Sequence, residues 1–382
     1  MLQPEAGRRP GPRVPRAPPG TQTGVVHSPD SPMPLRRGRT WSNRLLLAPL
    51  TNLQSDPVTG ALSDTEIEWL VARGRGGFGQ VMTAAAFVTP EGRAWRGQLG
   101  VHDDTMLPGL EKLADAVRAT GALSSVQLHH GGMRSDAQLN GTPNLGPWDD
   151  ADRQTRALTT GEVEGLVEAT VAAAVRCEKA GIDGVQLHAA HGYLWCQFLD
   201  PRSNHRTDAY GGSLVNRMRF TLDTLRGIRE ATGDDFEVGV RLTPEGYGVP
   251  LADAVEVVGA VLASGLVDTV DLSMWDCWMH PRKVETGRPL VDEFLPLPRH
   301  GTRLGVTGKV TDRAGVDWAL TRGADFVGVG IAGILHHDAA ASLLAGDFAP
   351  VARPVSADHL RAEHVGEPLI DYLREGWDDF VS

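Results

Sequence analysis

A short apolar run followed by a longer amphipathic one recurs eight times between residues 43 and 345, and this alternation constrains the fold more than any other feature. Leu45–Leu50 reads as the first strand, and Ser63-Asp64-Thr65-Glu66 is a capping signal for a helix to about Gly74. Gly79–Phe87 and Ser125–His129 are the second and third strands, with a helix over Asp104–Thr120 between them. A polar excursion over residues 131–158 precedes a helix that runs from the Thr159-Thr160 cap to Ala180. Val185–Leu187 is the fourth strand, Phe236–Leu242 the fifth and Thr269–Leu272 the sixth; helices over Leu214–Ala231 and Leu251–Ser264 separate them. After a long loop, Ser273–His300, the strands Arg303–Val306 and Phe326–Val329 complete the set, each followed by a helix.

Strands that alternate with helices form a parallel sheet through right-handed crossovers. Eight such units close as a (β/α)8 TIM barrel in roughly 250 residues. A doubly wound sheet fits less well, because no G-x-G-x-x-G follows the first strand and polar groups gather at several strand ends. The chain is therefore expected to be a single barrel domain over residues 41–350. Residues 1–40 are rich in Pro and Arg without hydrophobic periodicity, and read as a disordered tail, or as an extension ahead of a start at Met33. Residues 351–382 are an extension that packs on or extends from the barrel.

Charge narrows the function classes. Residues 1–40 hold seven arginines, which leaves 30 Lys and Arg against 46 Asp and Glu in the rest of the chain. An acidic body argues against nucleic acid as a partner, since phosphate contacts need a positive face. No apolar run reaches the ~18 residues of a membrane span, and no signal-peptide core is present. Three scattered cysteines, with no Cys-x-x-Cys, suit a reducing cytoplasmic setting and neither a zinc nor an iron–sulfur site.

In such a barrel the C-terminal strand ends converge on one mouth. This chain delivers Pro49-Leu50-Thr51, Ala84-Ala85-Ala86, Gln127-Leu128-His129-His130, the group His188, His191 and Tyr193, then Arg241, Thr307-Gly308-Lys309 and Gly330. There is no carboxylate pair for glycoside hydrolysis and no carboxylate cluster for a hard metal. Small residues, amide and guanidinium donors and neutral proton-active groups suit a flat, hydrogen-bond-rich, partly anionic ring. Two histidines three residues apart also suit a metal, but no third ligand is evident. His129 reads as structural, and His336-His337 as a solvated helix start. Trp275, Trp278 and Met279 either line a substrate pocket or pack under their loop.

Several blocks resemble the old yellow enzyme family of FMN-dependent ene-reductases and NADH:flavin oxidoreductases over roughly residues 41–345. They are Ala48-Pro49-Leu50-Thr51, Gln127-Leu128-His129-His130-Gly131-Gly132, His188-Ala189-Ala190-His191-Gly192-Tyr193, Gln197-Phe198-Leu199-Asp200-Pro201 and Arg206-Thr207-Asp208 through Gly211-Gly212-Ser213. The resemblance implies FMN as cofactor and NAD(P)H as reductant. Pro49, Leu50 and Thr51 would lie along the flavin, Ala85 beside it, Gln127 on its pyrimidine edge and Arg241 near N1. Gly308, Lys309 and Gly330 would form the phosphate site. His188 and His191 would donate to the substrate's carbonyl or nitro oxygen, hydride would pass from flavin N5 to the β carbon, and Tyr193 would protonate the α carbon.

The pattern departs from the family at Ile331, where an arginine usually grips the FMN phosphate, at Leu53 and at Met133. Losing the arginine is expected to weaken FMN binding. The expected activity is reduction of an activated alkene in a small-molecule substrate, by a protein free to form a homo-oligomer. The alternatives are a biosynthetic flavin-dependent oxidase, desaturase or isomerase, or a barrel that no longer holds FMN tightly.

Overall fold

In the computed structural model, residues 27–346 and 348–382 are described. Eight parallel strands close a barrel: β1 (Leu45–Leu47), β2 (Gln80–Phe87), β3 (Leu123–His129), β6 (Gly184–Ala189), β7 (Glu237–Leu242), β8 (Thr269–Ser273), β9 (Arg303–Thr307) and β10 (Val327–Val329). The remaining strands, β4 (Asn144–Gly146) and β5 (Thr155–Ala157), pair in parallel inside the excursion after β3. The expected (β/α)8 architecture is the observed one.

Side-chain alternation explains the closure. Val126, Leu128, Val185, Leu187, Val238, Val240, Val270, Leu272, Leu304 and Val306 are buried at 1% exposure or less and form the layer beneath the helices. The intervening residues point into the barrel, and they are polar: Gln127, His129, Gln186, His188, Arg241, Asp271, Ser273 and Thr307, all buried. At the floor, Glu237 on β7 accepts from Trp41 Nε1 (3.0 Å), Gln80 Nε2 (2.7 Å) and Thr269 Oγ1 (2.8 Å). Since β2 is not a neighbour of β7, the bond from Gln80 crosses the interior.

Trp41 corrects one expectation. Residues 27–40 are not a free tail, because Met33 and Trp41 exchange backbone hydrogen bonds and are fully buried under the barrel beside Phe326. Arg37, which pairs with Asp268 (3.3 Å), and Arg39, which pairs with Asp183 (3.2 Å), help these two apolar side chains anchor a segment whose composition is that of a tail. Residues 1–26 lie outside the described residues.

The helix Asp64–Arg75 starts as expected, with the Ser63 hydroxyl accepting from Glu66 N–H at 3.1 Å, but the reciprocal half of a capping box is absent. The Glu66 carboxylate turns inward and accepts from Asn52 Nδ2 (3.0 Å) and the Ser55 hydroxyl. It thereby ties down the loop that carries Thr51. The C-terminal segment docks on the same loop, where Gly366 N–H donates to Gln54 Oε1 (2.9 Å) and Leu369, Ile370 and Leu373 are buried. His336 and His337, expected to be solvated, are half-buried against that segment; His336 Nε2 accepts from Val351 N–H (3.0 Å) and His337 pairs with Glu363 (2.6 Å). No helix among the described residues is long and apolar enough to cross a membrane.

Candidate active site

Register sets the site out in layers. Ala85, Gln127, Gln186 and Gly239 are successive partners across β2, β3, β6 and β7. Two residues further toward the mouth, His188, Arg241, Asp271 and Gly305 form the next row. Gln127 Nε2 donates to Gln186 Oε1 at 2.8 Å. Pro49, Leu50 and Thr51 follow β1 and are half-buried, with Leu50 against Gly330: a Cβ on that glycine would lie 3.4 Å from Leu50 Cδ2.

The β6 loop brings its three proton-active residues together, as expected. His188 Nε2 is 2.7 Å from His191 Nδ1, and His191 Nε2 is 2.7 Å from Ser273 Oγ. His191 has a left-handed backbone (φ 61), unusual for a non-glycine residue and held from both sides. Its N–H donates to Thr243 Oγ1 (2.9 Å), and its carbonyl accepts from the Arg134 guanidinium. Gly192 is also left-handed (φ 71), and a Cβ there would meet Tyr247 Cδ1 at 2.9 Å, so glycine is required. Tyr193 packs edge-on to His129, with ring centroids 4.4 Å apart, and Arg134 Cζ sits 4.6 Å from its ring centre. Its hydroxyl makes no hydrogen bond to the described residues.

Burial sets the protonation states. It holds the His188 imidazole well below the usual range and His191 at about 3, with Arg241 and Arg134 adding to the effect. Both rings are neutral at pH 7. Burial pushes the Tyr193 phenol up, partly offset by Arg134. It keeps its proton at neutral pH and has one to give.

Arg241 behaves in two ways at once. Its Nε lies 3.1 Å from Asp271 Oδ2, the barrel carboxylate pairing that competes with a purely cofactor-facing role. Yet it donates no hydrogen bond to the described residues in good geometry, and its Nε is a buried orphan. Asp271 is held in turn by Thr307 Oγ1 (2.8 Å). Gly308 passes under the Met274 carbonyl, which a Cβ would approach to 2.6 Å. Lys309 is exposed, over the Trp275 ring at 5.3 Å and 4.0 Å from Asp276. Trp278 packs under its loop against Trp318.

Arg134, Trp95, Tyr247, Ser273 and Asp271 stand at the mouth without having been singled out from the sequence. Trp95 faces His129 and Tyr193, and Tyr247 faces His191. Loop residues such as Trp95 and Tyr247 carry no periodic signal. Asp271 and Ser273 did have one, since they follow Thr269 at intervals of two on the inward face of β8.

Comparison with known proteins bears on the family and the fold. The model of the NADH:flavin oxidoreductase / NADH oxidase family matches residues 31–293. The probable NADH-dependent flavin oxidoreductase YqiG of Bacillus subtilis is 38% identical over 255 residues, 64% of this chain and 68% of that one. NADH:fumarate oxidoreductase of Klebsiella pneumoniae is 32% identical over 358 residues, 88% of this chain but only 38% of that protein's length. Among solved structures, a 2-naphthoyl-CoA reductase complex superposes with a TM-score of 0.76 at 26% identity, covering 85% of this chain and 53% of its own. Morphinone reductase in complex with tetrahydroNAD shares the fold, with a TM-score of 0.72 at 24% identity over 87% of this chain and 94% of its own.

Proposed function

Since this chain belongs to the NADH:flavin oxidoreductase / NADH oxidase family, we propose that it reduces an activated C=C bond of the enone, maleimide or nitroalkene type. At the coarser level it is an NAD(P)H-dependent FMN oxidoreductase of the old yellow enzyme type. The observation that carries the finer reading is the joining of two neutral histidines and a protonated, unpartnered tyrosine at one barrel mouth.

The residues present fit FMN. Arg241 is a buried guanidinium with unsatisfied donors, of the kind that a ring bearing negative charge would occupy. Gln127 supplies an amide one layer below, Ala85 leaves room for close approach, and Pro49, Leu50 and Thr51 border the same opening. Gly308, Gly330 and Lys309 close the far side, where barrels commonly bind phosphate. With Ile331 in place of a cation and Lys309 turned toward Asp276, that end would rest mainly on backbone N–H groups. When bound, FMN supplies reversible hydride exchange with NAD(P)H and with the alkene.

In this reading His188 and His191 would donate to the substrate's carbonyl or nitro oxygen. Neutral imidazole N–H donors stabilise the enolate-like charge without giving up a proton. Tyr193 would protonate the α carbon, and Arg134 over its ring stabilises the phenolate left behind. The strained His191 backbone holds its ring toward His188.

An ultraviolet–visible spectrum and an anaerobic titration with each nicotinamide test the cofactor reading; FMN-reconstituted protein that does not bleach would sink it. Tyr193→Phe should slow alkene reduction about 100-fold or more and leave flavin reduction by NAD(P)H nearly unchanged. Equal slowing of both steps would remove the acid role.

A further inference from the structure

His129 takes no part in the reading above, yet it touches a residue that does. Its Nδ1 lies 3.1 Å from His188 Nδ1, so that three imidazoles and the Ser273 hydroxyl form one hydrogen-bonded chain. Burial holds His129 well below the usual imidazole range, as it does His188 and His191. A neutral imidazole carries a single N–H, so a bond at one nitrogen decides what the other can offer.

The chain has two self-consistent polarities. In the first, His129 donates from Nδ1 to His188 Nδ1, His188 donates from Nε2 to His191 Nδ1, and His191 bears its proton on Nε2. In the second every donor reverses. His188 Nε2 then accepts from His191 Nδ1–H, His191 Nε2 bears only a lone pair, and the proton of His129 moves to its Nε2. That nitrogen is buried and has no partner among the described residues. An orphaned buried N–H is the rarer and costlier fault, which favours the first polarity.

We propose that His129 is a positioning residue, which fixes the tautomers of His188 and His191 so that both carry their N–H at Nε2, that of His188 handed to His191 Nδ1 and that of His191 left as the outer donor of the chain. The inference rests on the reading of those two residues as donors to the substrate oxygen. A clamp for developing negative charge works only if its tips carry protons, because a bare nitrogen lone pair would repel the oxygen. His129 thus decides from behind whether the pair attracts or repels.

Histidine-selective 15N NMR of the FMN-loaded protein reads tautomers directly, with His129 and His188 assigned by their substitution. Wild-type His188 should show a protonated Nε2 and a bare Nδ1. His129→Leu should shift His188 toward the Nδ1–H form and weaken 2-cyclohexen-1-one binding, read by flavin absorbance, about tenfold. His129→Asn, whose amide can donate from the same place, should restore both signals. His188→Ala tests the clamp itself: unchanged enone affinity there removes the clamp, whatever the tautomers are. A wild-type His188 protonated on Nδ1, or a His129→Leu protein in which His188 keeps its Nε2–H form, overturns the proposal. The wild-type spectrum decides it even if His129→Leu does not fold.

Discussion

Replacing Glu237 by Gln should stabilise the barrel by an amount that grows with pH. The carboxyl group is fully buried in the floor, and burial pushes it from an ordinary 4.5 up to about 7, with nearby Asp268 adding to the rise. A raised carboxyl pKa means that the fold favours the protonated form. Its contribution is complete below about 4.5 and is lost as the pH climbs through about 7. At about 1.4 kcal/mol per pH unit, wild type gives up ~3 kcal/mol over that interval. Gln is shaped like the protonated acid. Its oxygen can accept from Trp41 and Gln80, and its amide can donate to Thr269 Oγ1. Urea unfolding of both proteins from pH 4.5 to 8.5 is the assay, because titrations not coupled to Glu237 cancel in the difference. The Gln protein should gain ~3 kcal/mol relative to wild type across the range. Parallel stability curves would show that Glu237 does not titrate as its surroundings require. Because Glu237 lies at the opposite end of the barrel from His188, the substitution should leave activity unchanged.

The buried histidines should act in the opposite sense. His130 and His191 are held at about 3 by burial, so the unfolded chain takes up their protons first. Stability is then present above about 6.5 and falls as the pH drops toward about 3; comparing Glu237→Gln with the Glu237→Gln, His130→Asn double variant between pH 6.5 and 4.5 reads the His130 share, and parallel profiles would refute it. Arg134→Leu removes the cation from the face of Tyr193 and with it the donor to the His191 carbonyl. A contact of ~0.5–2 kcal/mol should slow alkene reduction about 2- to 30-fold, and stopped-flow reduction of the flavin by NAD(P)H should not change.

The barrel was legible because each strand carries its own evidence. Apolar residues at alternate positions meet the helices, and Gly, Ser or Thr marks the helix ends. What escaped the sequence lies where that periodicity stops. The helix Leu194–Leu199 is six buried residues directly after Tyr193, too short to show a helical repeat. Strands β4 and β5 are three residues each and polar. Arg134 ends a three-residue 3-10 turn, Gly132–Arg134, one place beyond the methionine that breaks the family pattern. His129 follows Gln127 by two in the same strand and so shares the inward face, a placement that the parity of β3 alone carries.

Backbone strain points to the same mouth independently of the side-chain chemistry. Of the seven left-handed non-glycine residues among the described residues, four, Leu53, His191, Tyr247 and Lys309, lie in the loops after β1, β6, β7 and β9, and the other three are Gln154, His300 and His364. Such conformations cost about 1–3 kcal/mol each and persist only where their surroundings over-determine them. Those surroundings can be named for the first two. Glu66 grips Asn52 and Ser55 on either side of Leu53, and Thr243 and Arg134 hold the two backbone groups of His191. The next two are pinned by contacts beside them, with Tyr247 packed over Gly192 and Gly308 bonded to Cys277 N–H (3.2 Å) just before Lys309. A loop selected only to connect a strand to a helix would relax each of these to glycine or to an extended residue. Holding four strained loops around one opening costs stability that the regular barrel supplies, and it fixes where the His191 ring, the Tyr247 ring and the Lys309 ammonium point. The strain therefore belongs to the site.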